Sequence, residues 1–229
     1  MRESGGTLLV LPPLYAILDV DSLCGRPLEA VCETLLDAGV RLFQYRDKQG
    51  SSRRIFEAAA SLLPMIRDAG ARLIVNDRAD VALVAGADGV HLGQDDLTAE
   101  EARRVLKPGQ IVGCSTHNLN QLRQGDASPA DYLAFGPIFG TGSKARPDPI
   151  VGLDGLERAR KATSKPLVAI GGITVENARA VIMHGADTVA VIAGLLGAPD
   201  LSERAREYLK ILDESLSRKK PGHRGHRGR

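Results

Sequence analysis

Residues Ile74 to Asp96 read IVNDRADVALVAGADGVHLGQDD, and this stretch decides the fold. An apolar run, Leu73-Ile74-Val75, stops at Asn76-Asp77. A short helical segment and a glycine turn at Gly86 follow, and a second run, Gly89-Val90-His91-Leu92, stops at Gly93-Gln94-Asp95-Asp96. Short continuous apolar runs separated by a helix are buried parallel strands, because helices cover both faces of such a sheet. Two neighbouring strands that both end in carboxylates bring those carboxylates to one rim, where α/β proteins place their chemistry. Asp77 and Asp96 are therefore candidate ligands of one divalent cation.

The same alternation extends along the chain in both directions. Strands are expected at Leu14–Leu18, Leu42–Arg46, Leu73–Asn76, Gly89–Leu92, Ile111–Cys114, Tyr132–Phe135, Leu167–Ile170 and Thr188–Ile192. Helices are expected at Leu28–Ala38, Ser52–Ala69, Ala79–Ala85, Ala99–Leu106, Leu119–Gln124, Leu153–Ala162, Val175–His184 and Leu201–Leu216. A weak repeat punctuates them: Asp37-Ala38-Gly39, Asp68-Ala69-Gly70, Ala85-Gly86-Ala87-Asp88 and His184-Gly185-Ala186-Asp187 each stand between a helix and the next strand, where glycine suits the left-handed residue that ends a helix. Eight strand–helix units favour an α/β fold of the (β/α)8 TIM-barrel type in one domain spanning 13–216. An open doubly wound sheet is the alternative, weakened by the lack of a G-x-G-x-x-G after the first strand. Residues 1–12 are expected to form a flexible leader, and 217–229 a basic, disordered tail.

Composition narrows the function classes. Of 229 residues 43% are hydrophobic, 25% are charged and none is Trp, which is ordinary for a globular enzyme and poor for a surface that stacks single-stranded nucleic acid. The net charge of +2 belongs to the tail: without Arg218, Lys219, Lys220, Arg224, Arg227 and Arg229, 24 of the 30 cations face 28 acids. No nucleic-acid partner is expected. The three cysteines, Cys24, Cys32 and Cys114, are scattered and fit a reducing, cytoplasmic compartment. The apolar run from Thr7 to Val20 is interrupted by Pro12-Pro13 and contains Asp19, so no membrane association is expected. The oligomeric state stays open, a homodimer included.

In a barrel the chemistry lies at the carboxyl ends of the strands. After the second strand stands Gln44-Tyr45-Arg46-Asp47-Lys48; alternation points Gln44, Arg46 and Lys48 one way, Tyr45 and Asp47 the other. Two cations and an amide aimed at one place suit a polyphosphate, with a solvated loop as the competing reading. The carboxylates of Asp77 and Asp96 would repel that phosphate unless a hard cation lay between, and Mg2+ binds through one or two carboxylates plus phosphate oxygens and water. Helix capping is the competing reading for both. Ser115, Thr116 and His117 follow the fifth strand; Ser115 can donate to a ligand oxygen, and His117 is an acid or base or a positioning group. The long connection from Gly136 to Pro147 concentrates glycine, hydroxyls and Lys144 as anion-binding loops do, without the spacing of a P-loop. Gly171-Gly172 after the seventh strand and Ala193-Gly194 after the eighth suit a monophosphate held by backbone N–H groups. The rim thus carries two anion sites, as an enzyme joining two phosphorylated substrates needs.

The ordered motifs QYRDK (44–48), VNDR (75–78), HLGQDD (91–96), GCSTHN (113–118), FGPIFGTGSK (135–144), AIGGI (169–173) and VAVIA (189–193) resemble those of the thiamine phosphate synthase family from about residue 14 to 212. The resemblance implies a transferase that joins 4-amino-5-hydroxymethyl-2-methylpyrimidine diphosphate to a thiazole phosphate. Pyrophosphate leaves first, giving a stabilised pyrimidine methyl cation that the thiazole nitrogen captures. Family position places Gln44 to Lys48, Asn76, Ser115 and Lys144 at the pyrimidine diphosphate, with Arg46, Lys48, Ser115 and Lys144 as catalytic groups. It places Asp77 and Asp96 on Mg2+, and Thr141, Gly142, Ser143, Gly172, Ile192 and Ala193 at the thiazole phosphate. Ala193 stands where the family usually has Ser, and Ser143 where Thr is frequent. The alternative on the same barrel is a TenI-type thiazole tautomerase, in which His117 would move the proton; retention of Gln44, Lys48, Asp77 and Asp96 favours the synthase.

Overall fold

The computed structural model describes residues 9–140 and 148–219. Eight strands, β1 (Leu14–Asp19), β2 (Leu42–Arg46), β3 (Arg72–Asn76), β4 (Gly89–Leu92), β5 (Ile111–Thr116), β6 (Tyr132–Phe135), β7 (Leu167–Ile170) and β8 (Thr188–Val191), pair in sequence order, and β8 closes on β1. Every pairing is parallel. The helices are α1 (Leu28–Asp37), α2 (Ser52–Asp68), α3 (Ala79–Ala85), α4 (Ala99–Val105), α5 (Leu119–Ala127), α6 (Gly152–Ala162), α7 (Val175–Met183), the four-residue α8 (Ala193–Leu196) and α9 (Leu201–Arg218). This is the (β/α)8 barrel expected from the alternation.

Strand side chains divide into two cores, as a closed sheet requires. Outward residues such as Phe43, Val75, Val90 and Phe135 meet the helices; inward ones, Tyr15, Ile17, Leu42, Ile74, Ile111, Tyr132 and Val168 among them, fill the barrel. Two glycines make that interior possible. A Cβ on Gly89 would stand 2.2 Å from the Ile111 carbonyl oxygen, and one on Gly113 only 2.0 Å from the Tyr132 ring. Glycine on β5 is what admits a tyrosine from β6.

Most expected elements shift by one to three residues at one boundary, and the boundaries at the two ends of the barrel are instructive. The leader is anchored at its end: Leu11 is buried and Leu9 packs beside it on the interior core, while the Pro12 carbonyl accepts from Thr188 Oγ1 at 3.0 Å. An apolar stopper at the amino end shields the barrel from water. At the other end α9 runs to Arg218, past the expected end of the domain at 216, and Lys219 Nζ donates to the Ala186 carbonyl at 2.9 Å. The last strand ends at Val191, since Ile192 adopts φ −113°, ψ −89° and opens α8.

Candidate active site

At the carboxyl end of β2 the alternation holds. Gln44 is buried inside the barrel and its Nε2 donates to the Tyr15 hydroxyl at 3.0 Å. Arg46 is ion-paired with Asp19 at the end of β1, a buried carboxylate that also accepts from Ser22 Oγ at 2.6 Å. Lys48 Nζ lies 2.5 Å from Asp77 Oδ2. Tyr45 and Asp47, which the family resemblance puts at the substrate with the rest of the motif, turn their side chains the other way, as the alternation expects. Tyr45 packs in the helix-facing core and donates to Asp47 Oδ2 at 3.3 Å; Arg54 of α2 pairs with the same carboxylate at 2.9 Å. Burial, and then the neighbouring Asp47, push the Tyr45 phenol up to about 12. This pair braces the strand end from outside.

Asp77 follows β3 with φ +63°, a left-handed conformation uncommon outside glycine but more accessible to Asp and Asn. Its N–H donates to the His91 carbonyl at 2.7 Å, tying the end of β3 to β4. Asn76 closes β3 level with His91. Asp96 Oδ2 accepts from the Gly93 N–H at 2.7 Å. Burial, and then the adjacent Asp77 carboxylate, hold the Asp96 carboxyl above the usual range. Neither acid caps a helix: α4 is capped by Thr98 in a reciprocal box with Glu101, and the residue preceding α3 is Arg78, whose side chain makes no capping hydrogen bond. Capping therefore does not account for them.

Two adjacent carboxylates with one lysine ammonium between neighbouring strand ends form an anionic pair short of positive charge. Among the described residues no group of three or more His, Cys, Asp or Glu side chains is arranged to hold a metal ion. A four-coordinate zinc site of protein ligands does not fit these residues. Mg2+ does, because it takes one or two carboxylates and completes its octahedron with water and phosphate.

Ser115 on β5 meets His91 Nε2 at 2.8 Å. His117 is engaged elsewhere: its Nδ1 donates to the Gly136 carbonyl at 2.7 Å, and its Nε2 stands 3.6 Å from Asp148. It links the loops after β5 and β6. Beyond β7, Gly171 and Gly172 have φ +99° and +62°. A Cβ on Gly172 would fall 2.4 Å from the Gly140 carbonyl oxygen and 2.8 Å from Phe139 Cβ, so only glycine lets the loops after β6 and β7 touch. Asn177 Nδ2 fixes the Gly172 carbonyl at 3.0 Å. Ile192 leads into α8, and Ala193 is exposed at its first position. Thr141, Gly142, Ser143 and Lys144 lie outside the described residues. Sequence reasoning passed over Asp19, Tyr15, His91 and Tyr132; the available signal was a polar side chain at the inward register of a buried strand.

A family model described as thiamine monophosphate synthase matches residues 14–195. The chain belongs to this family. Among its relatives, the thiamine-phosphate synthase of Koribacter versatilis is 54% identical over 208 residues, covering 89% of this chain and 97% of that protein. That of Chloroflexus aurantiacus is 44% identical, covering 87% and 92%. Among solved structures, the thiamine phosphate pyrophosphorylase from Pyrococcus furiosus superposes with a TM-score of 0.81 at 35% identity, over 89% of this chain and 96% of that one. A 3-hexulose-6-phosphate synthase from Salmonella typhimurium, 18% identical with a TM-score of 0.68, shares the fold alone.

Proposed function

We propose that the chain is a thiamine phosphate synthase, joining the pyrimidine diphosphate to a thiazole phosphate and releasing pyrophosphate. The observation that carries this reading is the joint placement of Lys48, Asp77 and Asp96 at the ends of β2 to β4, in a family whose relatives bear that name. Asp77 and Asp96 would hold Mg2+, which when bound supplies positive charge to the leaving diphosphate. Arg46 and Lys48 add a guanidinium fork and a mobile ammonium for the same charge. Ser115 donates a hydrogen bond, and Gln44 orients the pyrimidine end. Lys144 is assigned to the diphosphate by its motif.

Such a dissociative substitution asks the protein for electrostatic stabilisation and alignment rather than for a nucleophile. Gly172, Ile192 and Ala193, with Thr141 to Ser143 by motif, would hold the thiazole phosphate so that its nitrogen meets the pyrimidine methylene carbon. The same reading has the enzyme working in the cytoplasm on two small phosphorylated substrates, without nucleic acid or membrane, as a monomer or homodimer. No helix among the described residues is long and apolar enough to cross a membrane. The tautomerase alternative needs His117 for proton transfer; the presence of Gln44, Lys48, Asp77 and Asp96 together, in a chain whose relatives are named thiamine-phosphate synthase, favours the synthase.

Supplying the two substrates separately and together tests the proposal. Thiamine phosphate is expected only with both. Isomerisation of a thiazole phosphate without any coupling would replace the synthase by the tautomerase.

A further inference from the structure

Five inward-facing polar side chains from five strands form one continuous hydrogen-bonded row across the barrel. Gln44 Nε2 donates to the Tyr15 hydroxyl at 3.0 Å; the Tyr15 and Tyr132 hydroxyls are 3.0 Å apart; Tyr132 Oη is 2.9 Å from His91 Nδ1; His91 Nε2 is 2.8 Å from Ser115 Oγ. Gln44, Tyr15, Tyr132 and His91 are buried. The His91 and Tyr132 rings stack with centroids 5.6 Å apart, in the room that Gly113 leaves. The two ends of the row are the residues proposed above to touch the pyrimidine diphosphate.

The row has one direction. An amide nitrogen only donates, so the Tyr15 oxygen accepts from Gln44 and spends its own proton on Tyr132, its other partner in the row. Tyr132 then spends its proton on His91 Nδ1. Any other arrangement strands a buried hydroxyl proton, which costs about 1–3 kcal/mol. Burial pushes both phenols up, so both protons remain available to donate. A neutral imidazole that accepts at Nδ1 carries its proton at Nε2, and that proton occupies a lone pair of Ser115 Oγ. The Ser115 hydrogen is left over.

We propose that Tyr15, Tyr132 and His91 are positioning residues that fix Ser115 as a hydrogen-bond donor toward the leaving diphosphate, with His91 held as the Nε2–H tautomer. The inference rests on the synthase reading and adds to it the residues that give Ser115 its polarity. In water a serine hydroxyl rotates freely between donating and accepting. Here the choice is made before substrate arrives, which is the preorganisation that stabilises developing charge.

The test needs no turnover. Binding of inorganic pyrophosphate with Mg2+ is measured by calorimetry for the wild type, Tyr132→Phe, Ser115→Ala and the double variant, and His91 is observed by 15N NMR, assigned by its loss in His91→Gln. The wild type is expected to show Nε2–H, and Tyr132→Phe a mixture of tautomers. Each single variant is expected to weaken pyrophosphate binding roughly tenfold, with thiazole phosphate binding unchanged. The double variant should be no weaker than Ser115→Ala, because Tyr132 acts through Ser115. Should Tyr132→Phe fold poorly, Tyr15→Phe removes the donor that directs Tyr132, which can then accept from His91 Nδ1–H as well as donate to it, and the same mixture of tautomers is expected. An Nδ1–H tautomer in the wild type, or additive losses in the double variant, overturns the inference. Absence of coupling by the wild type overturns the synthase reading instead, so the two failures are distinguishable.

Discussion

Lys48 and Asp77 form an ion pair across the ends of β2 and β3, Nζ to Oδ2 at 2.5 Å, on the carboxylate that also neighbours Asp96. A lysine ammonium already stands where two acids repel each other. Arrival of a divalent cation would free Lys48 for the diphosphate. The conformation of Asp77 dictates how to test this. With φ +63°, Asn is the substitution the backbone accepts, whereas Ala would add strain.

Asp77→Asn is therefore expected to keep its melting temperature within about 3 °C while coupling falls by about 10²-fold or more, the scale for losing one charge-stabilising group. Thermal melts and steady-state rates over a Mg2+ titration decide it. Unchanged coupling would remove Asp77 from the metal.

Asp19 holds Arg46 in place from the neighbouring strand. Its carboxylate is 5% exposed while the arginine is 17% exposed, so water screens part of the pair. Asp19→Ala should cost about 2–3 kcal/mol in urea denaturation, somewhat below the range for a fully buried pair. It should also raise KM for the pyrimidine diphosphate more than it lowers kcat, since the guanidinium loses its alignment before any chemistry.

The thiazole phosphate end offers changes in both directions. Ala193→Ser restores a hydroxyl at an exposed position on α8. One added hydrogen bond to a charged group predicts roughly tenfold tighter thiazole phosphate binding by calorimetry. Gly172→Ala should do the reverse, because its Cβ would meet the Gly140 carbonyl oxygen at 2.4 Å. A higher KM for the thiazole phosphate, with little change in that for the pyrimidine, is the expected signature.

Gly113→Ala would drive a methyl group into the Tyr132 ring. Overpacking of this kind costs about 3 kcal/mol, and moving the ring breaks the row from Tyr15 to Ser115. Gly113→Ala with Tyr132→Phe should recover little, since the ring atom Cζ is the closest contact; denaturant midpoints of both variants check this.

The strands are legible in the sequence because a parallel strand covered by helices is a continuous apolar run, and the Gly39, Gly70, Gly86 and Gly185 turns mark where α1, α2, α3 and α7 end. The observed strands begin and end within two residues of the expected ones. The rim is legible in part, because Asp77 and Asp96 interrupt apolar runs abruptly. Tyr15, His91 and Tyr132 are hidden by the same apolar background: each sits inside a strand, and only the closure of the barrel shows that all three face one axis. Asp19 is hidden because its partner Arg46 is 27 residues away. The anchoring of Leu11 and Lys219 escapes a reading of local composition, because both contacts are made to distant elements.

The central claim, coupling with release of the diphosphate at the rim formed by Lys48, Asp77 and Asp96, is tested most directly by the stoichiometry of pyrophosphate to thiamine phosphate. The measurement gives the chain both phosphorylated substrates in Mg2+ and again in EDTA. One pyrophosphate for each thiamine phosphate in Mg2+, and neither product in EDTA, is the predicted result. Thiamine phosphate formed undiminished in EDTA, or a thiazole product formed with no pyrophosphate at all, would contradict it.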